Sequence, residues 1–343
     1  MRGMKVIMRW RKTAGFFGSI IGSRLGARGP IHLSHLVTGR CDCRCPTCIW
    51  KDNELEELQA REIEALYRGA KEAGFVANAI WGGEPLLRQD LDRICRASRQ
   101  CGMITTVITN GYSLPERARD LAGEVDCFIV SLDYPEAGAH DAFRGRPGLF
   151  QRAVEGIEAL HRLGSPDKVI INCLLHRGNE TRMPEMAELA QSLGVSLYVC
   201  PASEGTRRDT GESNRDTIAA EDGQGQAASE LLRLKRDYPI NNSRTYLRRY
   251  LLQGRSYLCR APLVFITVTP EGDVVNCFRG SAPYGNVRET DFARIMKQWD
   301  RREALGATRG CHRCGNPNIV DTSYIWRLTP EPLLNAVGMF LTR

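Results

Sequence analysis

Apolar segments alternate with amphipathic segments up to about residue 200, and this alternation restricts the fold more than any other feature of the chain. Each apolar segment has the length of a buried strand, and helical periodicity fills the stretches between them. Strands that are apolar on both faces are typical of parallel sheets covered by helices. Six such units predict an α/β fold, a partial (β/α)6 TIM-like barrel that is open on one side. The predicted strands are Ile31–Val37, Phe75–Trp81, Ile104–Ile108, Cys127–Leu132, Val169–Leu175 and Ser196–Cys200.

The chain changes character after the sixth strand. Residues 203–226 are polar and rich in glycine, which predicts a loop or flexible crossing, with a lid as an alternative. Period-two patterning over Phe265–Cys277 predicts a β-hairpin with its turn near Gly272. We expect a basic amphipathic segment at residues 1–30 and a barrel core at residues 31–202. A polar loop with a helical linker is expected at residues 203–256, a hairpin module at residues 257–316 and an amphipathic tail at residues 317–343.

The cysteine content of the chain indicates the redox state of its compartment, and its charge distribution indicates which classes of partner to expect. The 343 residues include 13 cysteines, and the chain lacks a secretory signal with a cleavage site, so we expect reduced thiols and metal clusters in a cytoplasm. No apolar run approaches the ~20 residues of a membrane-spanning helix. Residues 1–41 carry eight Lys or Arg residues and no acid. Their eight positive charges exceed the net charge of +7 of the whole chain. The remaining chain is close to neutral, so we expect no nucleic-acid partner.

The basic N-terminal segment has two interpretations. Apolar residues recur in it near helical spacing at Val6, Trp10, Ala14, Phe17 and Ile21. A basic amphipathic stretch of this kind is typical of peripheral binding to the inner face of a membrane. It is equally typical of a helix that caps the barrel floor and keeps its basic face outward. The apolar tail from Leu333 to Leu341 is open to the same two interpretations.

Three cysteines in one short loop after the first predicted strand indicate a metal cluster. Cys41, Cys45 and Cys48 have the spacing C-x3-C-x2-C. A [4Fe–4S] cluster normally takes four cysteines, so three thiolates leave one iron with open positions. The alternative is a zinc knuckle with Cys43 as fourth thiolate, but zinc prefers two CxxC-like pairs or added histidines. The loop would lie at the carboxyl end of a strand, where α/β folds keep their active sites.

A glycine pair ends the second predicted strand on the same rim. Gly82, Gly83, Glu84 and Pro85 follow Trp81. Adjacent glycines let backbone approach a ligand closely, and a carboxylate beside them can receive an ammonium group. In isolation the same residues would form an ordinary turn.

These motifs together resemble those of the radical S-adenosylmethionine (SAM) superfamily. Cys41, Cys45 and Cys48 match its cluster motif, and Gly82, Gly83, Glu84 and Pro85 match its amino-group-binding motif. Asn110 ends the third strand, and Ser131 and Asp133 end the fourth. The resemblance implies that these three face SAM, although Asn-Gly is also a common turn pair. His140 and Arg144 would either contact SAM or substrate or cap the next helix.

The match departs from the family at one position. Many members carry an aromatic residue against the adenine just before the third cysteine, whereas this chain has Thr47. Trp50 or a backbone contact would have to substitute.

A second resemblance covers the hairpin module. Cys259, Cys277, Cys311 and Cys314, with Gly272 between the first two, resemble the twitch domain, a shortened form of the SPASM extension. The resemblance implies one fully ligated auxiliary [4Fe–4S] cluster, which suits electron transfer. A four-cysteine zinc ribbon has compatible spacing.

The two resemblances imply a radical SAM enzyme with SAM and two [4Fe–4S] clusters as cofactors, one site-differentiated and one auxiliary. Such enzymes cleave SAM reductively to a 5′-deoxyadenosyl radical that abstracts hydrogen from a substrate or adds to it, and a flavodoxin or ferredoxin type of protein supplies the electron. Too few residues precede Cys41 for a peptide-recognition domain. We therefore expect a small-molecule or lipid-like substrate, with peptide modification or small-molecule dehydrogenation as the alternative and a zinc-binding scaffold as a remote one. No residue stands out as a general acid or base.

Overall fold

One nine-stranded sheet forms the centre of the molecule. The structure is a computed structural model, and it describes residues 18–19, 21–26, 29–164, 168–254, 257–277, 282–311 and 314–341, without the side chains of residues 337–341. The strand order is β6-β5-β4-β3-β2-β1-β7-β8-β9. The strands are β1 (His32–Thr38), β2 (Ala77–Gly82), β3 (Ile104–Thr109), β4 (Cys127–Ser131), β5 (Lys168–Leu175), β6 (Ser196–Pro201), β7 (Phe265–Val268), β8 (Asp273–Val275) and β9 (Gly285–Asn286).

The first six strands pair in parallel and in sequence order, which confirms the expected partial barrel. Helices cover the outer face of the sheet. Alternate strand residues such as Ile80, Val107 and Phe128 pack with these helices in one buried core. The helices are α1 (Ala60–Glu72), α2 (Leu91–Gln100), α3 (Leu114–Leu121), α4 (Ala137–Arg144), α5 (Leu149–Arg162), α6 (Met183–Ser192), α7 (Glu221–Leu234), α8 (Phe292–Met296), α9 (Arg301–Ala307), α10 (Pro317–Trp326) and α11 (Pro330–Leu341).

The predicted hairpin is present, and one of its strands joins the barrel sheet. Strands β7 and β8 are antiparallel, and Gly272 in their turn has a φ of 100° that favours glycine. Strand β7 also pairs in parallel with β1, from His32 opposite Phe265 to His35 opposite Val268. The hairpin therefore continues the barrel sheet and covers the edge that β1 would otherwise expose.

The structure describes only part of the two chain ends. Val6, Trp10, Ala14 and Phe17 lie outside the described residues, whereas Ile21 belongs to a short helical stretch at 21–24. Among the helices of the described chain, none has the length and apolar character needed to cross a membrane.

Candidate active site

The loop that carries the first cysteines is a closed turn at the carboxyl end of β1. The Asp52 amide donates to the Gly39 carbonyl at 2.9 Å, which brings the two ends of the loop together. Arg40 holds Glu57 through two hydrogen bonds of 3.0 Å. Within the turn the Cys48 amide donates to the Cys45 carbonyl at 3.1 Å. Hydrogen bonds within the loop, and between Arg40 and Glu57, therefore fix the loop conformation.

The four sulfurs of this loop differ in exposure. Cys41, Cys45 and Cys48 are partly exposed, whereas Cys43 is 3% exposed and contacts the thiols of Cys41 and Cys45. The hydrogen bond with Cys43, together with the positive charge of Arg144, lowers the pKa of the Cys45 thiol to about 7. Burial raises the pKa of the Cys48 thiol. Three partly exposed cysteines in one turn, with Cys45 the most acidic of the shifted thiols, fit an iron–sulfur cluster. A second grouping also exists, because the Cys41 and Cys43 sulfurs and an Asp42 oxygen lie within 4.8 Å of one another.

The glycine pair serves chain packing. A Cβ on Gly82 would overlap the Thr38 carbonyl, and a Cβ on Gly83 would overlap the Arg40 carbonyl. The Gly83 amide donates to the Thr38 carbonyl at 2.8 Å, and the Glu84 amide donates to the Arg40 carbonyl at 2.7 Å. The end of β1 and the start of the cysteine loop therefore occupy the space beside the two glycines, and the predicted contact of Gly82, Gly83 and Pro85 with SAM remains a prediction.

The Glu84 carboxylate lies in the interior and is 1% exposed. It accepts hydrogen bonds from the Leu86 amide at 2.9 Å, the Thr109 hydroxyl at 2.7 Å and the Asn110 amide at 2.6 Å. Burial raises the pKa of Glu84 to about 7, and these hydrogen bonds oppose the shift. Glu84 therefore ties the end of β2 to the end of β3, and its contact with a SAM ammonium remains a prediction.

Asn110 joins β3 to the cysteine loop. Its side-chain amide donates to an Asp42 oxygen at 2.8 Å and to the Cys43 sulfur at 3.2 Å. Its carbonyl oxygen accepts from the Tyr112 amide at 2.8 Å. Asn110 is buried, so a contact of its side chain with SAM would have to form alongside these hydrogen bonds, and it remains a prediction.

Asp133 is fully buried in an ion pair. Its carboxylate accepts from Arg144 Nε at 2.6 Å and from the Leu174 amide at 2.8 Å. Burial alone would raise the pKa of Asp133, but the Arg144 charge holds it below its usual range. The Arg144 carbonyl in turn accepts from the Arg44 amide at 2.8 Å, beside Cys45. This bridge between the fourth strand and the cysteine loop was not predicted from the sequence.

Ser131 and Asn172 lie on the inner face of the sheet, on the side opposite the helices. They are register partners on β4 and β5, and Ser131 is buried while Asn172 is half-buried. The contact of Ser131 with SAM remains a prediction. Asn172 was not singled out from the sequence, because an Asn inside an apolar strand gives no motif.

Residues 203–217, which we call the strap, fold against the cysteine loop. The Asn214 amide donates to the Thr47 carbonyl at 2.9 Å and to the Ser203 carbonyl at 3.0 Å. Asn214 Oδ1 accepts from the Gly205 amide at 2.8 Å. The Arg177 amide after β5 donates to the Thr217 carbonyl at 2.9 Å. The strap therefore crosses from the ends of β5 and β6 to the loop after β1.

His140 is an interior residue. Its Nδ1 accepts from the Asp133 amide at 3.2 Å, and burial lowers its pKa to about 4. It is therefore neutral at physiological pH and supports the turn after β4, and it does not cap the next helix.

Four cysteines of the C-terminal module lie in one neighbourhood. Cys277, Cys311 and Cys314 all act electrostatically on Cys259, whose pKa rises to about 12 mainly because the thiol is buried. The Cys259 amide donates to the Cys311 carbonyl at 3.4 Å, and the Tyr257 hydroxyl donates to the Cys314 carbonyl at 2.8 Å. The four thiols would be the ligand set of a fully ligated iron–sulfur cluster, whereas no three of these sulfurs lie within 4.8 Å of one another as a preformed zinc site would require.

Comparisons with known families match both regions. A model of the radical SAM superfamily matches residues 36–190, and a model of an iron–sulfur cluster-binding domain, SPASM, matches residues 259–315. The PqqA peptide cyclase of Streptomyces rochei is 31% identical over 289 residues, which cover 80% of this chain and 76% of the relative. The AdoMet-dependent heme synthase of Methanosarcina barkeri is 32% identical over 167 residues, 47% of each chain.

Solved structures show the same fold. Streptococcus suis SuiB bound to S-adenosylmethionine superposes with a TM-score of 0.66 at 19% identity, covering 89% of this chain and 75% of SuiB. The enzyme anSMEcpe, with bound AdoMet and a Cp18Cys peptide, gives a TM-score of 0.62 at 13% identity, covering 91% of this chain and 98% of anSMEcpe. At these identities the likeness establishes the partial barrel and its extension.

Proposed function

Because this chain belongs to the radical SAM superfamily and carries a SPASM iron–sulfur domain, we propose that it is an enzyme that modifies a peptide substrate. Enzymes of this class use SAM and [4Fe–4S] clusters. The observation that carries the substrate class is the match to a PqqA peptide cyclase along 289 residues, which spans both regions. The heme synthase match covers only 47% of the chain. SuiB has also been solved bound to its precursor peptide SuiA, at 18% identity to this chain.

The peptide proposal replaces our first expectation. A small-molecule or lipid-like substrate was favoured because few residues precede Cys41. The match to the cyclase argues against that inference, because it extends over 80% of this chain.

We propose Cys41, Cys45 and Cys48 as ligands of a cluster with one open iron, and Cys259, Cys277, Cys311 and Cys314 as ligands of the auxiliary cluster. A cluster held by Cys41, Cys45 and Cys48 would supply, when reduced, the electron for reductive cleavage of SAM, which is the source of hydrogen-abstracting radicals in this class. The support for the first set is its partial exposure beside the buried Cys43. The support for the second is that Cys277, Cys311 and Cys314 lie near enough to act on the Cys259 thiol, and that the Cys259 amide donates to the Cys311 carbonyl.

The remaining rim residues position the cysteine loop and limit its contact with water. Glu84, Asn110 and Arg144 fix the ends of β2, β3 and β4 to the cysteine loop, which keeps the sulfurs in one place. The strap is hydrogen-bonded to the Thr47 carbonyl, one residue before the third cysteine, and we propose that it limits access of water to this side of the loop. We propose Ser131, with Asn172 beside it, as the polar groups that face SAM or the peptide backbone.

The reaction needs a low-potential electron, and we propose a flavodoxin or ferredoxin type of donor in a reducing cytoplasm. The support is the cysteine content of the chain, because [4Fe–4S] clusters and reduced thiols persist in such a compartment.

Anaerobic turnover tests the substrate class. Reconstituted enzyme, SAM and dithionite would be incubated with the peptides encoded beside its gene, and separately with a lipid extract and a metabolite extract. We expect 5′-deoxyadenosine together with a peptide that has lost hydrogen atoms by mass spectrometry. Stimulation by the lipid or metabolite extract alone would restore the small-molecule alternative.

A further inference from the structure

Three tyrosines form one connected group between the barrel and the Cys311–Cys314 pair. The rings of Tyr246 and Tyr250 stack, with centroids 5.5 Å apart and an angle of 21° between their planes. The Tyr250 ring meets the Tyr257 ring edge to face, with centroids 5.7 Å apart. Tyr246 and Tyr257 are buried, so the group belongs to the interior of the molecule. We call these three tyrosines the tyrosine clamp.

The hydroxyls of two clamp residues hold successive backbone carbonyls. The Tyr257 hydroxyl donates to the Cys314 carbonyl at 2.8 Å. The Tyr246 hydroxyl donates to the Gly315 carbonyl at 2.7 Å. A phenylalanine would fill the same apolar space without a buried hydroxyl that needs a partner. The hydroxyls therefore fix two successive peptide groups that begin at Cys314, and with them the direction in which the Cys314 side chain leaves the backbone.

Gly315 places this segment against the carboxyl end of β6. A Cβ on Gly315 would lie 2.5 Å from Pro201 Cγ, which is closer than side chains approach one another. Pro201 is the last residue of β6 and directly follows Cys200. The same Cβ would lie 3.5 Å from the Tyr250 hydroxyl, so the clamp and the rim of the barrel meet at Gly315. The absence of a side chain there allows the segment after Cys314 to contact the rim.

The helix that carries two of the clamp residues is anchored at its start. Tyr246–Leu252 form a π-helix, a rare conformation that is frequent at functional sites. The Glu331 carboxylate of α11 accepts from the Arg244 amide and from the Thr245 amide, each at 2.8 Å. These bonds satisfy amides at the beginning of the helix, where backbone partners are lacking. The rings therefore project from a fixed backbone, and their hydroxyls act as fixed donors.

We propose that Tyr246 and Tyr257 are positioning residues of the auxiliary cluster, which hold Cys314 at the rim of the barrel in the orientation required for ligation. This inference rests on the proposed set of four C-terminal cysteine ligands. The Tyr257 hydroxyl directs its hydrogen at the carbonyl of a ligand residue, so it adds positive potential beside the cluster site. Hydrogen bonds and solvent exposure around a cluster tune its reduction potential. We therefore expect the clamp to influence that potential.

Variants that lack one hydroxyl test the proposal, because Tyr246→Phe and Tyr257→Phe keep the rings and remove one donor each. Both are made in the full chain with alanine in place of Cys41, Cys45 and Cys48, so that the auxiliary cluster is the one measured. This background protein should bind about four irons per chain. In both variants the midpoint potential of the cluster should shift to more negative values, because reduction adds negative charge that the lost donor no longer stabilises. The EPR spectrum of the reduced cluster should change as well.

Tyr67→Phe in the same background is the matched control. The Tyr67 hydroxyl is also buried, and it is hydrogen-bonded to His35 Nδ1 at 2.9 Å between α1 and β1. Its loss should lower Tm without moving the potential, which separates the loss of a buried hydrogen bond from the positioning of a ligand.

An unchanged potential and an unchanged spectrum in both clamp variants would overturn the proposal, as would an equal shift in the control variant. A background protein without cluster iron, or with zinc in its place, would overturn the ligand set itself and with it the positioning role.

Discussion

The Asn214 side-chain amide donates to the Thr47 carbonyl at 2.9 Å, across 167 residues of chain. Thr47 stands one residue before the third cysteine of the loop, and both Thr47 and Asn214 are buried. One amide therefore connects the strap to the cysteine loop. The segment predicted as a loop or flexible crossing is thus anchored at Asn214.

Loss of this anchor should loosen the strap. Asn214→Ala removes three hydrogen bonds, each worth about 1 kcal/mol net, and leaves buried carbonyls unpaired. We expect faster tryptic cleavage after Arg208 and more 5′-deoxyadenosine per product formed, because water reaches the radical site. Thr210→Ala, at the exposed tip of the strap, is the control. Wild-type proteolysis and wild-type coupling in Asn214→Ala would contradict the anchoring role.

The open-iron site should depend on three of the four loop cysteines. Replacing Cys41, Cys45 and Cys48 together with alanine should lower bound iron from about eight to about four atoms per chain and abolish 5′-deoxyadenosine formation. Cys43→Ala should keep both clusters, because Cys43 is buried behind the others. If the triple variant retained SAM cleavage, or Cys43→Ala lost one cluster, the ligand set would have to change.

The C-terminal cysteines should bind the second cluster. Cys311→Ala combined with Cys314→Ala should remove about four irons and leave SAM cleavage without complete turnover. The measurement is iron, sulfide and zinc analysis of anaerobically purified protein. One zinc per chain with iron for a single cubane in the wild type would establish the zinc ribbon instead.

Glu84 should make SAM binding depend on pH. Its pKa of about 7 means that the carboxylate forms as pH rises from about 6 to about 8, so SAM affinity should increase over this range. Because the pKa of Glu84 in the folded protein lies above the usual 4.5, its protonated form contributes to the stability of the fold. This contribution is fully present below pH 4.5 and is lost as the pH rises through about 7. Titration calorimetry and thermal melts at several pH values measure both effects.

Glu84→Gln should abolish the pH dependence and weaken SAM binding by about tenfold, the equivalent of ~1.4 kcal/mol. The comparison variant is Glu72→Gln, because Glu72 is exposed on α1, outside the rim. An unchanged SAM dissociation constant in Glu84→Gln would show that the ammonium is held elsewhere.

Periodicity was sufficient to predict the barrel but not the connections between its strand ends. The six predicted strands lie within two residues of β1–β6, because each is apolar on both faces and bounded by turn residues. The pairing of β7 with β1 was missed, because register between strands more than 200 residues apart has no local signal. The same holds for Asn214 with Thr47, which are 167 residues apart. The sequence placed Asp133 and Arg144 after the fourth strand, but it did not indicate that they form an ion pair.

The glycine pair shows how a motif can be located correctly and explained incompletely. The residues Gly82 to Pro85 were recognised because adjacent glycines and a carboxylate stand at a strand end. The structure assigns the space that the missing side chains leave to the carbonyls of Thr38 and Arg40. Sequence spacing indicates that backbone must come close at this position, but it does not specify what approaches.

The pairing of β7 with β1 makes the C-terminal module inseparable from the barrel. Deleting residues 257–343 would leave β1, the strand that carries the cysteine loop, as an open edge with unpaired backbone groups. Such a fragment should aggregate, so the first cluster cannot be studied in an isolated barrel. For the same reason, exchanging this module between related enzymes would require a replacement strand, which limits how freely evolution can recombine the two halves.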